Sequence, residues 1–168
     1  ERDVRTEQIR ERIKRDSQGD PLKEPVRLIL GGDVMLGRLV KQAILKYGLE
    51  YPLGKISETL KKADLTLVNL ESALTSSTSE WPGEPKAFYF GAPPEAVQSL
   101  LQAGIDGVSL ANNHTLDYGV DGLLETMDLL NRNKIEYSGA GANLKEARKA
   151  MIFKRHEIQF GMVSCCDH

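Results

Sequence analysis

From Val26 onward the chain alternates short apolar runs with longer stretches whose apolar residues recur every three or four positions. That rhythm predicts strand, helix, strand units with parallel pairing, and hence an α/β fold. Val26 to Leu30 predicts a buried strand, Arg38 to Lys46 and Leu53 to Ala63 predict helices, and Leu65 to Leu70 predicts a second strand. Ala87 to Phe90 is expected to be extended, after which Pro93-Pro94 opens a helix that reaches Ala103 and stops at Gly104. Val108 to Ala111 predicts a third strand, Gly122 to Asn133 an amphipathic helix, and Ile135 to Ser138 a fourth strand. Asn143 is placed to cap a further short helix. Met151 to Lys154 and Ile158 to Ser164 lie close enough to pair as a hairpin, so the end of the sequence is expected to turn antiparallel.

Residues 1–24 break from this pattern. Acidic and basic side chains alternate there, and Val4, Ile9 and Ile13 give only a thin apolar stripe, which predicts a charged surface arm before a domain at 25–168. The final predicted strand would be an uncovered edge, so a domain truncated at its C-terminus is expected, with an apolar patch beside the last strands. Across 168 residues, 22 Lys and Arg face 24 Asp and Glu, for a formal charge of −2. This balance argues against a nucleic-acid partner. Apolar residues make up 40% of the chain and charged residues 27%, enough to bury a core and too apolar for wholesale disorder. No apolar run reaches the roughly 18 residues of a membrane span, and no signal segment is recognisable. Cys165 and Cys166 are adjacent, offer no disulfide framework, and read as strand-end residues.

Three predicted strands end in unusual polar residues: Gly31-Gly32-Asp33, Asn69-Leu70-Glu71, and Asn112-Asn113-His114. In open parallel sheets, ligands bind beyond the carboxyl ends of the strands, so Asp33, Glu71, Asn113 and His114 are expected on one edge. Two carboxylates, amide oxygens and an imidazole suit a divalent metal such as Mn, Fe(II) or Zn better than Mg, and a shared carboxylate would allow two ions. Arg38, just beyond the first of these strands, could hold an anionic group. Singly, each residue has a structural explanation: Gly-Asp as a turn, Glu71 as a surface carboxylate, and Asp117 followed by Gly119 as turn chemistry. Three such endings together favour a site for metal-assisted hydrolysis or transfer.

The segments Gly32-Asp33-Val34-Met35-Leu36-Gly37-Arg38, Asn69-Leu70-Glu71 and Asn112-Asn113-His114-Thr115-Leu116-Asp117-Tyr118-Gly119 resemble, in this order, the motifs of the CapA family. These are bacterial capsule and poly-γ-glutamate synthesis proteins of the calcineurin-like metallophosphoesterase superfamily. The resemblance implies a four-layer α/β/β/α sandwich, of which this chain holds the N-terminal part, with metals at the strand ends. It places Asp33, Glu71 and Asn113 at metal-ligand positions and makes His114 the residue that assists the leaving group. Arg38 and Asp117 fall within the family motif without an assigned role and join His114 as catalytic candidates. Where the superfamily's first motif carries a second ligand histidine, this chain has Met35.

Two functional readings follow from the resemblance. One is a metal-dependent phosphoesterase-like enzyme acting on an anionic polymer or phosphoester. The other is a non-catalytic accessory that binds polymer or the subunits of a membrane-bound synthase. Either implies association with the cell envelope and leaves homo-oligomerisation open. A nucleotide-binding α/β domain ranks last, because neither Gly-x-Gly-x-x-Gly nor a P-loop occurs.

Overall fold

The computed structural model describes residues 25–167 together with Glu7; the charged arm expected over 1–24 otherwise lies outside the described residues. The central sheet contains β1 (Leu28–Val34), β2 (Leu65–Leu70), β5 (Gly107–Ser109) and β6 (Glu136–Ser138), all parallel, in the order β1-β2-β5-β6. β2 takes an inner position because Leu65 to Val68 are apolar or hydroxylic and are buried on both faces. Between β2 and β5 in the chain lies a two-residue parallel ladder, β3 (Ala73–Leu74) with β4 (Gly91–Ala92).

Helices α1 (Arg38–Tyr47), α2 (Ile56–Leu60), α3 (Val97–Ala103) and α4 (Gly119–Arg132) contribute the main core. Ile44, Leu60, Leu100 and Leu130 meet Val68, Leu70, Val108 and Leu110 there. The opposite sheet face carries the antiparallel hairpin β7 (Met151–Arg155) and β8 (Ile158–Met162), following the short α5 (Leu144–Ala147). Met151 and Phe153 pack with Leu65 and Leu67 in a second cluster, and Arg155 pins the hairpin to Asp106 at 2.7 Å. Helix layer, sheet and hairpin make an α/β architecture with a parallel sheet and, among the described residues, three of the four layers of the expected sandwich. Beside the hairpin lies an apolar groove of ≈ 530 Å³, lined by Leu30, Leu67, Phe153, Phe160 and Met162, where Leu30 is 68% exposed.

Several elements depart from the sequence expectation for local reasons. The predicted helix over 53–63 shrinks to Ile56–Leu60, because Pro52 and Gly54, the latter at φ +39, hold residues 49–55 in turns. The helix opened by Pro94 begins with a tight 3₁₀ turn over Pro94–Ala96, and Gly104 ends it at φ +77, in the left-handed region that favours glycine. The first strand continues past Leu30 to Val34 through an irregularity. Leu30 pairs with Leu67 and Asp33 with Asn69, so two residues of β1, Gly31 and Gly32, stand opposite one of β2, Val68. This bulge at Gly31-Gly32 reverses the side-chain alternation. Leu30 and Asp33 therefore share the hairpin-side face, while Val34 pairs with Leu70 and packs against the helix-side core.

Candidate active site

The bulge is what sets Asp33 at the carboxyl edge of the sheet. Asn69 Nδ2 donates to Asp33 Oδ1 at 2.8 Å, and Asn112 Nδ2 donates to Asn69 Oδ1 at 3.0 Å and to the Leu70 carbonyl at 2.9 Å. A chain of side-chain amides thus ties the ends of β1, β2 and β5 together. Asn112 Oδ1 also accepts from the His114 backbone N–H at 3.0 Å and from Thr115 Oγ1 at 3.2 Å, which shapes the turn presenting the imidazole.

His114 is 8% exposed and Asp117 fully buried. Their contact, Nδ1 to Oδ2, measures 2.6 Å. With Nδ1 donating to the carboxylate, the ring is oriented so that Nε2 faces Glu71 Oε1 at 3.9 Å. That separation is too long for a direct hydrogen bond, so Nε2 remains available to a reacting group. Asp117 receives two further donors, the Phe90 backbone N–H at 2.7 Å and Lys86 Nζ at 2.6 Å. The residue that resembled ordinary turn chemistry is therefore a buried acceptor that orients the histidine. The Phe90 ring stacks on His114 with centroids 3.8 Å apart. Burial, followed by the charges of Glu80 and Asp117, raises the neighbouring Tyr118 phenol above its ordinary range.

Arg38 opens α1 at φ +50, a costly conformation for a residue with a Cβ, and its exposed guanidinium lies 3.9 Å above the Phe88 ring. The structure brings Asp33, Glu71 and His114 to one edge. Asn113 differs: its side chain is exposed, its carbonyl accepts from Lys86 Nζ, and Asn112 is the asparagine woven into the amide chain. Met35 turns its sulfur back to accept from the Gly37 N–H at 3.0 Å.

Oxygen donors of the kind a divalent cation takes are present at Asp33 and Glu71. Among the described residues, however, no group of three or more His, Cys, Asp or Glu converges to hold a metal ion. The donor chemistry fits a divalent cation, and the donor number requires ligands beyond those the described residues gather. The sequence reading missed Lys86 and Phe90 as site residues. Their only signal was a lysine and aromatics ahead of Gly91, which no local rule connects to a histidine 24 or more positions away.

Residues 27–168 match the family described as bacterial capsule synthesis protein PGA_cap. The capsule biosynthesis protein CapA of Bacillus anthracis is 32% identical over 86% of this chain and 35% of its own length. The PGA biosynthesis protein CapA of Bacillus subtilis is 25% identical over 74% of this chain and 32% of its own length. A Mycobacterium tuberculosis relative, named a probable polyglutamine synthesis accessory protein, is 30% identical over 83% of this chain and 44% of its length. The chain thus spans about a third of the first of these relatives and less than half of each. The family's metallophosphoesterase-like fold agrees with the parallel sheet and its polar strand ends. With every residue from β1 onward inside the match, the chain belongs to the bacterial capsule synthesis protein PGA_cap family.

Proposed function

We propose that this protein acts in the synthesis of a bacterial capsule or poly-γ-glutamate polymer, and that its strand-end edge is part of a metal-dependent phosphoester-hydrolysing site. The names of its relatives support the first half. The observation that carries the second is His114, held by buried Asp117 with Nε2 turned toward Glu71 on the edge that also bears Asp33. A divalent cation, with Mn, Fe or Zn favoured over Mg and room for a second ion, would supply Lewis acidity, held by Asp33 and Glu71 plus further ligands, since the Asn113 side chain is exposed and apart from the amide chain. With its ring in the imidazolium form, His114 would give the Nε2 proton to the leaving oxygen and revert to the neutral ring, while the Nδ1 contact to Asp117 keeps Nε2 aimed. Arg38 would orient an anionic phosphoester or polymer carboxylate.

The test is manganese binding and hydrolysis of bis(p-nitrophenyl) phosphate by the full-length protein and its variants. Asp33→Ala is expected to lose metal. His114→Ala should keep metal while kcat falls by about 10²- to 10⁴-fold. Absence of metal and turnover in the unaltered protein would overturn the enzymatic reading.

A second reading, a non-catalytic accessory that binds polymer or membrane-bound synthase subunits, draws on the small number of converging donors and on Met35. It gives polymer or partner binding that survives Asp33→Ala.

A further inference from the structure

The five residues Lys86-Ala-Phe-Tyr-Phe90 contact all three catalytic candidates, although no sequence motif joins them. Lys86 Nζ reaches both the Asp117 carboxylate, at 2.6 Å, and the carbonyl of Asn113, the residue before His114. Phe88 lies under the Arg38 guanidinium. Phe90 stacks on the His114 ring and gives its backbone N–H to Asp117. The segment is itself anchored on two sides. The Ala73 N–H donates to the Phe90 carbonyl at 2.9 Å, two residues after Glu71, and the β3-β4 ladder continues from there. On the other side, a Cβ at Gly37 would fall 3.1 Å from the Gly91 nitrogen and 3.2 Å from the Phe90 Cα, so the β1-α1 turn packs directly on the segment.

From these contacts we infer that Lys86–Phe90 is a positioning strap for His114, with Lys86 as its key residue. Lys86 is a positioning residue, because it touches no reacting atom in the proposed chemistry. Its ammonium closes the 113–117 turn from outside, joining the backbone that precedes the imidazole to the carboxylate that orients it. Phe90 limits ring rotation from the face. Neither contact is replaceable by the His114–Asp117 bond, which fixes only a distance between two side chains of the same turn; Asn112 on the Leu70 carbonyl and the Trp81 N–H on the Asp117 carbonyl hold the backbone of the turn, and the strap adds the restraint on the ring and its carboxylate. A residue placed this way sets the aim of Nε2, and loss of aim lowers turnover more than binding.

The catalytic consequence rests on the proposed hydrolytic role of His114, and the structural consequence does not. The experiment therefore has two arms on the full chain, with Lys86→Met, Lys86→Arg and Lys86→Gln, the last serving if the Met variant does not fold. In the first arm, NMR follows the His114 Hδ2 and Hε1 signals, for which the stacked Phe90 ring predicts an upfield displacement. The displacement is expected to collapse in Lys86→Met or Lys86→Gln and to persist in Lys86→Arg. In the second, hydrolysis of bis(p-nitrophenyl) phosphate with manganese is expected to lose about tenfold or more in kcat with KM within about threefold, and Arg to restore part of it. An unchanged His114 displacement in folded Met or Gln variants would overturn the strap, whatever their melting temperatures. An unaltered protein without hydrolase activity would overturn the proposed function instead, and the NMR arm would still decide the strap.

Discussion

Gly31 and Gly32 are adjacent and chemically identical, yet the bulge gives them opposite tolerance for a methyl group. A Cβ at Gly31 would lie 2.9 Å from Val68 Cγ1. Ordinary carbon contacts begin near 3.5 Å, so the shortfall is roughly 0.6 Å. Val68 is 5% exposed in the helix-side core and branched at Cβ, which restricts its χ1 and makes relief by rotation costly. Gly31→Ala should therefore behave as an overpacked core substitution and cost about 1–3 kcal/mol. For a domain of this size, each kcal/mol moves Tm by about 2–4 °C, which gives a fall of about 2–12 °C. A Cβ at Gly32 would find nothing within 4 Å, and the backbone there is outside the left-handed region. Gly32→Ala should thus stabilise by about 0.4–1 kcal/mol, by restricting the unfolded chain. Calorimetric unfolding of the two variants reads the difference directly. Equal shifts, or a larger loss at Gly32, would refute the bulged register and with it the account of how Asp33 reaches the amide chain.

Two further outcomes follow from the packing. Desolvation alone would raise the Glu125 carboxyl, but hydrogen bonds from Thr75 Oγ1 and from the Ser76 N–H and hydroxyl outweigh it and hold the group below its ordinary value. A carboxyl lowered in the folded state adds stability above the unfolded value and loses it as pH falls through the folded one. The urea stability gap between the unaltered protein and Glu125→Gln should be widest near neutral pH and close on acidification; a gap independent of pH would contradict this. Phe153, 6% exposed between the hairpin and Leu67, should cost about 3–5 kcal/mol when cut to Ala. Hydrogen exchange should then quicken across β7 and β8 while β5 amides keep their protection, and uniform loss of protection would show that the hairpin is not a separable layer.

Much of the architecture was legible locally. β2 reads as a strand because four consecutive buried residues leave no polar face, and α4 because Met127 and Leu130 recur at helical spacing within its apolar face. The hairpin turn falls at His156-Glu157, between the two apolar runs that predicted it. Asp33, Glu71 and His114 were visible as polar ends on apolar strands, because the end of a parallel strand is where such residues leave the core. Asp117 was visible only through the family motif; alone, it is a common turn residue.

The sequence by itself determined the α/β rhythm, the family, and the edge of the sheet on which chemistry-bearing residues collect, since periodic burial and motif order are written along the chain. Tertiary structure alone decided three things. It set the face that Asp33 occupies, through an extra residue opposite β2. It chose Asn112 over Asn113 for the amide chain. It also enclosed His114 and Asp117 with Lys86 and Phe90. Each is a contact between residues far apart in the chain, or a one-residue register choice. A local pattern carries information about which side chains are buried, whereas which of them meet is settled only when strands pair and loops pack against one another.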